Sequence, residues 1–79
     1  MKKTVRLCDI GTGEECIVSG LQATGSMRRR LLDIGLVENA RVTCLGRSPA
    51  GDPSAYLICG AVIAIRERDA RDVVVSYGD

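Results

Sequence analysis

Gly25 to Leu36, GSMRRRLLDIGL, is the one stretch of the sequence that reads as a helix. At ~100° per residue, Met27, Leu31 and Ile34 fall on one narrow arc. Arg28 and Arg30 flank that arc on opposite sides, and Arg29 points away from it beside Asp33. Thr24-Gly25-Ser26 marks the start, where a hydroxyl oxygen caps a free backbone N–H. Gly35 marks the end, where a left-handed residue closes a helix at no Cβ cost. A helix from about Ser26 to Ile34 is a rod of about 12–14 Å, shorter than the ~12–15 residues an isolated helix needs in water. It forms only by docking Met27, Leu31 and Ile34, at roughly 1.5–3 kcal/mol per buried side chain. The rest of the chain has to supply the sheet that receives it.

The flanking segments read as short strands. Thr4 to Ile10 is either a short strand or a single helical turn, ended by Gly11-Thr12-Gly13. Glu14 to Leu21 alternates, with Cys16 and Val18 on one face and Ile17 on the other, and Gly20 signals a bulge or tight bend. After a turn at Glu38-Asn39, further strands are expected at Arg41 to Arg47, Ser54 to Cys59, Ala61 to Arg66 and Val73 to Tyr77. Gly60 makes a tight turn, and Glu67 to Asp72 a charged one. Alternation separates Ser54, Tyr56 and Ile58 from Ala55, Leu57 and Cys59. The pattern is that of a mainly β fold, a small antiparallel barrel of about five strands with one short inserted helix. It forms a single domain over residues 1–79, and closing the barrel removes exposed sheet edges.

With no Phe or Trp, the core must be aliphatic. Eleven basic and ten acidic residues leave a net charge of +1, which argues against a duplex-binding module. Two tyrosines are too few for stacking single-stranded nucleic acid or for an aromatic groove taking proline-rich peptides. There is no histidine, no nucleophile beside a base and no Gly-rich phosphate loop, so no enzyme activity is expected. The basic MKK start is not followed by the apolar run of ~7–15 residues that a secretory leader carries. The chain is therefore expected in the cytoplasm. Cys8, Cys16, Cys44 and Cys59 form no C-x-x-C pair. They read as reduced thiols serving as small apolar strand residues, with a four-cysteine metal site as the alternative.

Three motifs carry a family resemblance. Arg47 to Pro53, RSPAGDP, resembles the A-P-x-G-D-P signature of FeoA proteins, the small cytoplasmic partners of the ferrous-iron permease FeoB. Arg28 to Leu36 resembles that family's R-R-L-x-x-L-G helix end, and Gly60 to Arg66, GAVIAIR, its G-x-x-x-A-L-R strand. Their order and separation agree. The resemblance implies an SH3-like barrel, in agreement with the strand pattern. The same module resembles the C-terminal domain of iron-dependent repressors. With no helix-turn-helix segment ahead of it, the free-standing form is the one expected. Three departures stand out: Val37-Glu38-Asn39 replaces Val-Pro-Gly, Ala50 replaces a frequent Leu, and Ala55, Leu57 and Cys59 are apolar where the family is commonly polar.

The function implied is that of a non-enzymatic adaptor of ferrous iron uptake, binding the cytoplasmic part of a FeoB-type permease and meeting the membrane only through it. The alternative is a detached regulatory barrel, binding protein or nucleic acid in metal-responsive transcription. Arg28, Arg29 and Arg30 are candidate partner contacts, although they fan over about 200°; Arg30 aligns with the family's most regular helix arginine. The exposed, proline-stiffened loop contributes Pro49, Gly51, Asp52 and Pro53, with Asp52 as loop anchor or partner contact. Arg66 is expected to reach Asp52 or Asp33, and Arg29 to pair with Asp33. Because Tyr56 faces inward in the family pattern, Leu57 should centre an exposed apolar patch for self-association or a partner. Fe(II) or another divalent transition metal is the ion the family's role suggests. Fe(II) suits carboxylate and imidazole ligands, but imidazole is absent and the carboxylates are scattered, so no ligand is assigned.

Overall fold

A computed structural model describes residues 2–77 of the chain. The helix forms where the periodicity predicts it, as α1, Gly25–Asp33. At its end the Gly35 N–H donates to the Leu32 carbonyl (3.0 Å) and the Leu36 N–H to the Leu31 carbonyl (3.1 Å). These two bonds are the closure of a Schellman motif, and its Leu31 and Leu36 are both buried. Gly35 is required twice over. Its φ is +106°, and a Cβ there would stand 3.0 Å from Cγ2 of Ile58 and 3.2 Å from Sγ of Cys59. At the start, Thr24 occupies the N-cap but its hydroxyl makes no capping bond, against expectation. Gly25 enters the helix with φ at +62°, so the first-turn amides do not lie over that hydroxyl. Leu31 is the fully buried member of the docking face, with Met27 and Ile34 half-buried beside it.

Six antiparallel strands receive the helix: β1 Lys3–Arg6, β2 Glu15–Leu21, β3 Arg41–Arg47, β4 Ser54–Ile58, β5 Ala61–Ile65 and β6 Val73–Tyr77. They pair in the order β1-β6-β2-β3-β4-β5. The ambiguous first segment is both things at once, since β1 runs into a 3-10 turn at Leu7–Asp9, and the sheet thereby has one strand more than expected. The Arg6 N–H donates to the Asp9 carboxylate (3.2 Å), and the buried Tyr56 hydroxyl donates to the Leu7 carbonyl (3.5 Å). The predicted charged turn is instead a short helix, α2, Glu67–Ala70. The Arg66 carbonyl accepts from the Asp69 and Ala70 amides (3.0 and 2.9 Å), and Glu67 and Asp69 place negative charge in the first turn, where it is favoured.

Gly20 marks a register shift between β2 and β6, as predicted. A second shift, between Cys44 and Gly46 in β3, was not legible. Inward residues of the strands (Cys16, Val18, Val42, Cys44, Tyr56, Ile58, Val73 and Val75) join Leu7, Ile10, Leu31 and Leu36 in one buried cluster. One sheet therefore wraps one core. Closure is incomplete, because β1 and β5 end the pairing order without bonding to each other. Arg30, Leu31 and Ile34 of α1 line a groove with β5. Edges therefore remain, contrary to the closed barrel expected.

Cys16 and Cys44 are buried strand residues, as predicted. Cys8 lies half-buried in the 3-10 turn and Cys59 is exposed in the β4–β5 turn, so neither serves as a strand residue. Burial pushes the Cys16 thiol up to about 11, with Cys44, Glu15 and Glu14 adding to the effect.

Leu31→Asp sets an unpartnered charge into this core and should abolish cooperative unfolding, read by circular dichroism on heating. The raised Cys16 thiol stays protonated in the folded chain after the unfolded chain has begun to ionise near 9.0. Stability should thus be full below that pH and fall towards pH 11 by up to about 1.4 kcal/mol per pH unit. Denaturant titrations across that range should show a shallower loss for Cys16→Ala.

Candidate functional site

The end of α1 lies beside β5, and the space between them is a groove of about 230 Å³. Arg30, Leu31 and Ile34 form one wall, and Ile63 to Arg66 form the other. Pro53 and Asp69 complete it. Arg30 and Arg66 are exposed. Asp69 is 8% exposed and supplies the one acidic side chain among these lining residues. The expected Arg29–Asp33 pair does not form, nor does Arg66 bond to Asp33 or Asp52. Among the described residues the ion pairs are Arg41–Glu15 (3.7 Å) and Arg71–Glu67 (3.8 Å). Both guanidinium groups of the groove are thus available to an incoming anion, at a surface where water competes.

The signature loop is held by its own backbone. The Gly51 N–H donates to the Ser48 carbonyl (2.8 Å), and the Ser48 N–H to the Pro53 carbonyl (3.0 Å). Pro49 takes the second position of the resulting turn, where its fixed φ is preformed. The Asp52–Pro53 bond is cis and Gly51 has φ +91°. Asp52 accepts the Glu67 N–H at 2.9 Å, so it satisfies the first amide of α2 from a distant loop. Anchoring is therefore the role its geometry displays. Pro49, Gly51 and Asp52 remain exposed.

The outer face of the sheet is the third element. Tyr56 and Ile58 point inward and are buried, while Leu57 is 37% exposed, as expected. It stands between Thr43 of β3 and Val62 of β5. Val62 is 66% exposed and Leu45, at the β3 bulge, 43%. Ala55 and Ala64 face each other in the adjacent row. Strand residues and the β4–β5 turn surround Leu57, so α1 leaves this row open.

The predicted site residues therefore divide. Arg30 and Pro53 meet in the groove. Arg28 and Arg29 border Gly25 and Leu32 on the outer side of α1, and Leu57 lies on the sheet's outer face. Sequence reasoning missed Asp69 and the half-buried Ile63. The acid at the third position of ERDA was a helix-start signal that would have found the first. Metal ligation has no support in the geometry: among the described residues, no three Cys, Asp or Glu side chains converge on a point that could hold an ion. No described helix is long and apolar enough to cross a membrane.

The chain resembles known proteins over nearly its full length. It is 28% identical over 71 residues, 90% of its length, to the Fe(2+) transport protein A/Fe(2+) transporter FeoB fusion protein of Porphyromonas gingivalis, of which it spans 8%. The solution structure of a FeoA protein from Chlorobium tepidum superposes with a TM-score of 0.83 at 31% identity, covering 90% of this chain and 68% of that one. A zinc-complexed FeoA of Stenotrophomonas maltophilia, described as a prokaryotic SH3 domain protein, superposes at 0.80 with 25% identity and coverage of 90% and 88%. A manganese-dependent transcriptional repressor shares the fold at 0.83, with 21% identity and coverage of 94% and 41%. The family model for the FeoA domain matches residues 5–77, and with its six-stranded SH3-like sheet and single inserted α1 the chain belongs to the FeoA domain family.

Proposed function

We propose that the chain is a non-enzymatic accessory protein of bacterial ferrous iron uptake, which binds the cytoplasmic part of a FeoB-type permease. The observation that carries this reading is the fusion relative, in which a FeoA and a FeoB are one polypeptide. Covalent linkage holds two modules at high effective concentration, an arrangement that suits partners acting as a complex. Fe(II) is then the permease's cargo, and this chain needs no ligand set for it.

Two surfaces suit the partner. Leu57 and Val62 pair on the outer face of a sheet whose other face is the core, with Leu45 exposed beside Ala55 and Ala64 in the next row, and such patches mark interaction sites. The groove of Arg30 and Arg66, which Pro53 joins from the end of the signature loop, adds positive charge for acidic groups on the permease. Arg28 and Arg29 extend that charge along α1. The repressor-like reading rests on the shared fold alone and is opposed by the near-neutral charge.

Retention on immobilised permease cytoplasmic domain, with no retention on duplex DNA at physiological salt, is the expected result; the reverse would establish the regulatory reading. Leu57→Lys should leave the melting temperature nearly unchanged, since the site is on the surface, and should weaken permease binding about tenfold or more, the scale of a central apolar contact. Asp52→Ala should lower stability by about 1 kcal/mol through loss of the α2 cap and weaken permease binding by releasing the loop. Asp52→Asn retains the acceptor and should restore both. Unchanged permease binding in Asp52→Ala would remove the loop from the interface.

A further inference from the structure

β5 is the end of the pairing order, and its turn decides which of its backbone groups are used. Cys59 and Gly60 both have positive φ (50° and 81°), as a two-residue type I′ hairpin requires. Ile58 and Ala61, flanking that turn, are therefore a hydrogen-bonded pair, and alternation makes Tyr56–Ile63 and Ser54–Ile65 the next ones. Val62 and Ala64 fall between them. Their N–H and C=O groups point away from β4, and no described residue bonds to either. Two donors and two acceptors thus stand in a row on one edge.

Such edges are usually blunted by lysine, proline or a bulge. β5 has none of these. Its sequence, AVIAI, is uncharged and wholly aliphatic, and its partner ladder is regular over all five residues. The opposite edge, β1, carries Lys3 and Arg6 instead.

We propose that two copies of the chain pair antiparallel through β5, about a twofold axis at Ile63. In that register Val62 of one copy exchanges both hydrogen bonds with Ala64 of the other, and again across the axis, so all four outward groups are satisfied. Ile63 meets its own counterpart in the close, non-bonded position, above the apolar wall of Leu31 and Ile34. Arg66 comes opposite Gly60, and no like charges meet. Moving the axis to Val62 sets Ala64 against Gly60, which is in the turn. Moving it to Ala64 sets Val62 against Arg66, whose carbonyl already accepts from Asp69 and Ala70. A second copy brings the same outward donors and acceptors of Val62 and Ala64 in the inverted order that this axis requires, so the edge is its own complement. Pairing also joins the outer rows, so that Thr43, Leu57 and Val62 of one copy continue into Ala64 and Ala55 of the other.

This pairing stands independently of the permease reading, and its test uses the 79-residue chain alone. Light scattering from micromolar to millimolar concentration should show monomer passing to dimer. Amide exchange at Val62 and Ala64 should slow over the same range, while amides of the β4 ladder stay constant. Val62→Lys, at a largely exposed position, should weaken the dimer about tenfold or more without moving the melting temperature. Ala64→Pro removes one outward N–H that β4 does not use, the one strand setting proline tolerates, and should do the same. Leu45→Lys, on the same face but off the edge, should leave the dimer intact. A wild-type chain monomeric throughout, or a dimer that survives Val62→Lys, overturns the proposal. So does protection of Val62 and Ala64 by the permease domain in a chain that stays monomeric, which would make the edge a docking site for a foreign strand.

Discussion

Contact between the end of α1 and the β4–β5 hairpin, at Gly35, is the constraint on which the rest of the molecule depends. The helix is too short to persist without a partner surface, and the hairpin is too small to be stable without something packed on it. Gly35 lets them approach more closely than side chains ordinarily pack, while its left-handed backbone folds Leu36 back over Leu31. One residue thereby closes the helix, seats it and fills the core. Arg30 and Ile34, near the same end of α1, lie beside β5 and line the groove.

Much of this was legible in the sequence, wherever a local rule and the tertiary requirement agree. The Met27/Leu31/Ile34 arc, the terminating glycine and the bulge at Gly20 each follow from periodicity or glycine geometry, and alternation separates Ser54, Tyr56 and Ile58 from their neighbours. Failures occurred where a long-range bond overrides the local signal. ERDARD reads as a charged turn until Asp52, fifteen residues upstream, offers a carboxylate to the Glu67 amide. Thr24 reads as a cap until Gly25 turns the first amides away from it. The β3 bulge at Gly46 had a glycine to announce it, but in a strand that alternates cleanly on both sides.

Site residues were harder, because spacing along the chain does not report which surface a side chain joins. Three consecutive arginines looked like one patch, yet only Arg30 shares a groove with Pro53, and its companions there are Arg66 and Asp69. Leu57 faces outward as expected, but alternation only separates it from Tyr56 and Ile58, and the family resemblance is what sets those two inward. Barrel closure was misjudged. Strand count and spacing indicate a barrel, but they do not report whether its end strands, β1 and β5, bond to each other.

The hydrogen bond from the Glu67 amide to Asp52 couples the signature loop to the groove. It ties the loop to a helix only four residues long, and Asp69, on that helix, supplies the acidic side chain in the groove. A helix of one turn has no stability of its own, so its order is conditional on the loop that caps it. Whatever grips the loop therefore alters the electrostatic field a few residues away, and an occupant of the groove favours one arrangement of the loop by an equal free energy. Reciprocity of this kind makes loop and groove a single thermodynamic unit, in which two weak contacts are cooperative without either touching the other.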